Sequence, residues 1–91
     1  MAKVAIVILN YNGAQMLRRF LPGVIAASGP EAQVIVADNA STDESVALMR
    51  SEFPSVALIE LQKNWGFAEG YNRALAQIEG KNYAIPFQSD G

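Results

Sequence analysis

Residues 4–9 read Val-Ala-Ile-Val-Ile-Leu, an unbroken apolar run in which four of the six positions are Val or Ile. A strand with one wet face alternates apolar and polar side chains. A continuous β-branched run fits a strand covered on both faces, as in a parallel sheet. The run is too short to span a bilayer and carries no small-residue cleavage site, so it reads as a strand from Lys3 to Leu9 rather than a leader peptide. Asn10-Tyr11-Asn12-Gly13 breaks it.

Working outward, Leu17, Phe20, Leu21, Val24 and Ile25 recur at helical spacing, which places a helix over Ala14 to Ala27. Pro22 is expected to kink it or to split off its last turn, and Ser28-Gly29-Pro30 to end it. Gln33 to Ala37 is a second continuous apolar strand. Ser41-Thr42-Asp43-Glu44 has the capping-box form, which starts a helix there and carries it to about Phe53, where Pro54 stops it. Val56 to Leu61 is a third strand and Gln62 to Trp65 a loop. Phe67, Tyr71, Leu75 and Ile78 form the stripe of a helix over Gly66 to Glu79, with Gly80 as its C-cap. Tyr83 to Phe87 is a fourth strand.

The order βαβαβαβ with short connections predicts an α/β fold: a three-layer, open parallel sheet of Rossmann-like type, with strand order 3-2-1-4. Residues 1–91 form a single domain on this reading. Ligands of such sheets bind outside the carboxyl ends of the strands, at the point where strand order reverses, here between strands one and four.

Composition narrows the chemistry. With no Cys and no His, disulfides, thiolate nucleophiles, imidazole catalysis and the usual zinc ligands are excluded. Acid–base or metal chemistry falls to Asp and Glu. The net charge of −2 and seven scattered basic residues give no footprint for a nucleic-acid partner. A mildly acidic domain can still hold an anionic nucleotide through backbone N–H groups and a metal ion.

Polar residues cluster where that chemistry would need them. Asn10-Tyr11-Asn12, Asp38-Asn39, Lys63-Asn64 and Ser89-Asp90 each follow a strand, so a parallel sheet brings all four to one edge. The bland alternative is that Asn, Asp and Gly simply make good turns. Four such clusters, with Tyr11 and Trp65 among them, favour a ligand edge on which an aromatic ring could stack against a nucleobase. Other α/β nucleotide binders fit poorly. Asn10 to Gln15 lacks the G-x-G-x-x-G of dinucleotide enzymes, no G-K-[ST] marks a P-loop, and a sugar nucleotidyltransferase would carry a Gly-rich loop and an Arg in the same place. A receiver-like signalling domain would place an acidic pair where Asn10-Tyr11 stands.

ILNYNG at 8–13, VIVADNASTDES at 34–45, NWGFAEGYNRA at 64–74 and FQSD at 87–90 resemble, in order, the successive motifs of inverting, family-two glycosyltransferases. The chain is similar in particular to bacterial members that transfer rhamnose or galactofuranose in cell-wall and polysaccharide biosynthesis. The resemblance implies a glycosyltransferase A fold whose N-terminal half binds a UDP-, dTDP- or GDP-linked sugar. It implies transfer of that sugar to a saccharide or lipid-linked acceptor, with a divalent metal, Mg or Mn, as cofactor. Tyr11 matches the position flanking the nucleobase and Asn12 its neighbour. Asp38 matches the carboxylate that accepts a hydrogen bond from the base, with Asn39 and Ser41 in the rest of that loop, although Ser41 reads rather as a plain N-cap. Asn64, Gly66 and Asn72 match the segment that approaches the nucleotide. Gly66 and Gly70 either permit close backbone approach or ease helix packing. Tyr71 stands where many relatives carry Arg or Gly. Asp90 matches the last acidic residue of the metal-binding Asp-x-Asp-type motif, with Gln88 in its first position and Ser89 in its middle.

The family's general base is a carboxylate downstream of these motifs, which the resemblance puts beyond Gly91. Glu31, Glu44, Glu52, Glu60, Glu69 and Glu79 fall on helices, strand interiors or a distal loop, and none of the six replaces it. No catalytic residue is therefore expected within the 91 residues. They are expected to stop before the acceptor-binding half and to be inactive alone, whether as an incomplete gene product, a shortened chain or a binding module. The alternative to an enzyme part is a non-catalytic α/β nucleotide-binding or self-association module. The apolar fourth strand, left at an open edge, would support a homodimer. The expected location is cytoplasmic, with association at the inner face of the membrane left open.

Overall fold

The computed structural model describes residues 4–80. The element order is β1 (Val4–Asn10), α1 (Ala14–Ser28), β2 (Ala32–Asp38), α2 (Ser45–Glu52), β3 (Ala57–Glu60) and α3 (Phe67–Gly80). The strands are parallel and lie in the order β1-β2-β3, so the 3-2-1 part of the expected order is present. The fourth strand, Tyr83 to Phe87, lies outside the described residues.

Helices cover both faces of the sheet, and β2 shows how. Val34 and Val36 face Leu17 and Leu21 of α1 and Leu48 and Met49 of α2. Ile35 and Ala37, one residue out of phase, face Ala74 and Ile78 of α3 together with Ile59 and Leu61. This is the period-two geometry of a strand with both sides dry. Val36, Ile35 and Ala37 have no exposed surface, and burying a Val or Ile side chain stabilises the fold by about 1.5–3 kcal/mol each. β1 carries equally apolar residues but stays half-buried from Ala5 to Leu9, with β2 as its hydrogen-bonded neighbour among the described residues.

Three expectations on the helices need correction. α1 runs unbroken from Ala14 to Ser28, so Pro22 does not split off its last turn; the proline sits on the exposed side. α2 begins at Ser45 with Glu44 at its N-cap, three residues later than the capping-box reading places it. The residues of that box are used in the loop instead, as described below. α3 continues through Gly80, which is therefore inside the helix rather than its cap. Among the described residues, no helix is long and apolar enough to cross a membrane.

Candidate functional site

The parallel register sets Asn10 beside Asp38 and Asp38 beside Glu60, so the loops after all three strands leave from one edge. Side chains then tie those loops together in two knots.

The first knot joins the β1 and β2 loops. The Asn10 amide donates to Asp38 Oδ1 at 2.9 Å and to Ser41 Oγ at 3.3 Å. Ser41 Oγ donates to Asp38 Oδ1 at 2.7 Å and accepts the Asn12 N–H at 2.8 Å. A hydroxyl has one donor and two acceptor lone pairs, and this one uses all three. Asp38 Oδ2 accepts the Ser41 N–H at 2.8 Å, closing the tight turn in which Ala40 holds a left-handed φ of 63°. Such a conformation costs a non-glycine residue about 1–2 kcal/mol, and the Asp38 bond offsets it. Asn12 is also left-handed, at φ 52°, and its Oδ1 accepts the N–H groups of Thr42 at 2.7 Å and Asp43 at 3.1 Å. Asp43 completes the knot: Oδ2 accepts the N–H of Ala14 at 3.1 Å, while Oδ1 accepts the N–H of Ser45 at 2.9 Å and its hydroxyl at 2.5 Å. Ala14 opens α1 and Ser45 opens α2, so one carboxylate caps two helices. Partial burial pushes the Asp43 carboxyl up, but the bonds from Ser45 and Ala14 outweigh it and hold the group below its ordinary value.

The second knot joins the β2 and β3 loops through Asn39, which is only 2% exposed. Its amide nitrogen donates to Asn64 Oδ1 and to the Gly66 carbonyl, both at 3.1 Å, and its Oδ1 accepts the Trp65 N–H at 3.0 Å. Asn64 Oδ1 also takes the Gly66 N–H at 2.8 Å. Gly66 has a φ of 81°, a left-handed turn that glycine makes without strain and that feeds the chain into α3. Gly70 lies against the other side of Asn39, where a Cβ would come within 2.8 Å of the Asn39 amide nitrogen.

The expected site residues thus divide. Asp38 and Asn39 are buried and hydrogen-bonded within the rim, and the exposed Asn12, Asn64 and Gly66 bond into the same two knots. Tyr11 is 48% exposed at the edge, between two anchored residues. Asn72 is exposed on α3 and makes no hydrogen bond to the others among the described residues. Gln88, Ser89 and Asp90 of the expected metal motif lie outside the described residues, and so does Gly91, the position beyond which the general base is expected. Among the described residues, no group of three or more Asp, Glu, His or Cys could hold a metal ion. Glu60 is not a strand-interior residue: it ends β3, exposed and ion-paired with Arg50.

Two features escape the sequence reading. Asp43 stands there only as part of a capping box, although an Asp two residues ahead of a helix start is itself a capping signal. Around Trp65, the Arg73 guanidinium lies 3.5 Å and the Lys63 ammonium 4.3 Å from the ring centre, an arrangement that spacing alone does not reveal.

Fold and edge together define an open parallel α/β domain with a polar, side-chain-laced rim at the carboxyl ends of its strands. Residues 5–91 match the family described as Glycosyl transferase family 2. The chain belongs to that family. It is 32% identical over 73 residues to an N-acetylglucosaminyl-diphospho-decaprenol L-rhamnosyltransferase of Mycobacterium tuberculosis, covering 80% of this chain and 24% of the relative. It is 30% identical over 83 residues to the succinoglycan biosynthesis protein ExoO of Rhizobium meliloti, covering 90% and 24%. Among solved structures it resembles a mannosyltransferase from Pyrobaculum calidifontis in complex with GDP-Man and Mn2+, at a TM-score of 0.71 and 28% identity over 82% of this chain and 24% of that one. The chain spans about a quarter of the length of the proteins it matches.

Proposed function

We propose that this chain forms the nucleotide-sugar-binding part of a glycosyltransferase that transfers a sugar from a nucleoside-diphosphate donor to a saccharide or lipid-linked acceptor. The observation that carries the reading is the rim itself: three strand-end loops, preset by buried Asn10, Asp38 and Asn39, with Tyr11 left exposed above them. Tyr11 would stack on the base. Asp38 Oδ2 accepts one internal hydrogen bond where Oδ1 accepts two, which leaves it acceptor capacity for a base N–H. The backbone around Asn64 and Gly66, with Asn72 on α3, would line the remainder of the nucleotide. The name of the rhamnosyltransferase relative supports a sugar transfer to a diphospho-lipid acceptor, and the solved mannosyltransferase supports a nucleoside-diphosphate sugar with a divalent cation. Mg2+ or Mn2+, with Asp90 as its expected ligand, belongs to the proposal on that ground.

The test is titration of the 91-residue chain with UDP, dTDP and GDP, with and without Mn2+ or Mg2+, following the fluorescence of Trp65, the one tryptophan of the sequence. Saturable quenching by one nucleotide, lost in Asp38→Ala, is the expected result. No response to any of the three would sink the reading and favour a module without nucleotide binding.

A further inference from the structure

We propose that Asn12 is a positioning residue rather than a nucleotide contact: its side chain locks the 10–14 loop onto residues 41–43 and thereby sets the Tyr11 ring. The inference rests on the reading that a nucleotide binds at this edge, and it changes what one residue does there.

Asn12 sits at φ 52°, a region that Asn, Asp and Gly enter more readily than other residues. A side-chain carbonyl oxygen has two lone pairs, and those of Asn12 are taken by the N–H groups of Thr42 and Asp43 at 2.7 and 3.1 Å, with the Thr42 hydroxyl at 3.4 Å. Its own N–H is held by Ser41 Oγ at 2.8 Å. On the other side of Tyr11, the buried Asn10 side chain is held by Asp38 and Ser41. Tyr11 is thus a half-exposed ring whose two chain neighbours are both pinned to the same segment. A loop backbone fixed on both sides of the ring before the ligand arrives costs less ordering when it binds. Among the described residues, the side-chain nitrogen of Asn12 makes no hydrogen bond, and it is the one polar atom of that side chain left to touch a ligand instead.

Three substitutions separate these roles. Asn12→Gly keeps the left-handed backbone but removes the acceptor. Asn12→Ala removes the acceptor and strains the backbone. Asn12→Asp keeps both the acceptor and the backbone preference but removes the amide donor. Each is checked for folding by circular dichroism. Amide hydrogen exchange at Thr42 and Asp43 is then followed by NMR, along with the Kd for whichever of UDP, dTDP or GDP the unaltered chain binds with Mn2+. Asn12→Gly is expected to lose protection at both amides and to weaken binding by about tenfold or more, with Asn12→Ala at least as damaging. Asn12→Asp is expected to rescue both. Asn12→Asp also adds a negative charge, so its binding is measured at low and at high salt, where repulsion of the diphosphate is screened. If it restores protection while binding at high salt stays as weak as in Asn12→Gly, the amide donor contacts the ligand and the proposal falls. Unchanged protection in Asn12→Gly also overturns it. If the unaltered chain binds none of the nucleotides, the functional reading fails by itself, and the exchange data still decide whether the lock exists.

Discussion

Asp43 and Ala14 lie 29 residues apart in sequence, yet the Asp43 carboxylate accepts the first N–H of α1 at 3.1 Å while also holding the first N–H of α2. Asp43→Ala orphans both donors and should destabilise the domain by about 1–3 kcal/mol, read as a lower urea midpoint. The pH dependence has a definite sign. The folded-state value lies below the ordinary 3.8, so the unfolded chain takes up the proton first. The stabilisation is complete above 3.8 and disappears as pH falls through the depressed value. Urea midpoints should therefore drop on acidification below about pH 4, and drop less steeply in Asp43→Asn.

Asn39 is a second point of leverage. Its nitrogen donates to two oxygens, on Asn64 and Gly66, so Asn39→Asp would set carboxylate oxygen against both within a buried site. The expected cost is about 2–5 kcal/mol, larger than that of Asn39→Ser at the same position. Equilibrium urea unfolding of the two variants checks the order.

Gly70 should respond against helix propensity. Replacing a glycine inside a helix by alanine normally stabilises by about 0.5–1 kcal/mol. Here the added methyl would meet the Asn39 side chain at 2.8–3.1 Å, and that side chain is pinned by three hydrogen bonds. Gly70→Ala is expected to destabilise by about 1–2 kcal/mol. In an Asn39→Ala background the obstruction is gone, and the same substitution should become neutral or stabilising. Additive effects in this double-mutant cycle would count against a direct clash.

The strands are readable because their signal is local. Val34 to Ala37 alternates between two buried faces, and a continuous apolar run is what that arrangement leaves in a sequence. The loop signals mislead for an equally physical reason. Ser41 to Glu44 has the spacing of a capping box, but Ser41 finds Asp38, Asn10 and Asn12 instead, and α2 starts three residues later than that box would start it. Local spacing cannot weigh a cap against partners contributed by another strand end. Tyr11, Asp38 and Asn39 can be placed on the right edge because parallel strands send their exits the same way. That Asn39 is buried against Asn64 and Gly66, while Tyr11 stays exposed, depends on contacts 25 or more residues apart.

The pairing of residues 10–14 with 38–45 bears on how variants of this domain could be recombined. A chimera that replaced only the first segment with that of a related protein lacking Asn12 would leave the Thr42 and Asp43 N–H groups without their acceptor, and one that replaced only the second with a segment lacking Asp43 would leave the Ala14 N–H without its carboxylate. The smallest transplantable piece is the two segments together, a cassette discontinuous in the gene but single in space. Drift in either segment is constrained by the other, so changes in the two should be inherited as matched sets.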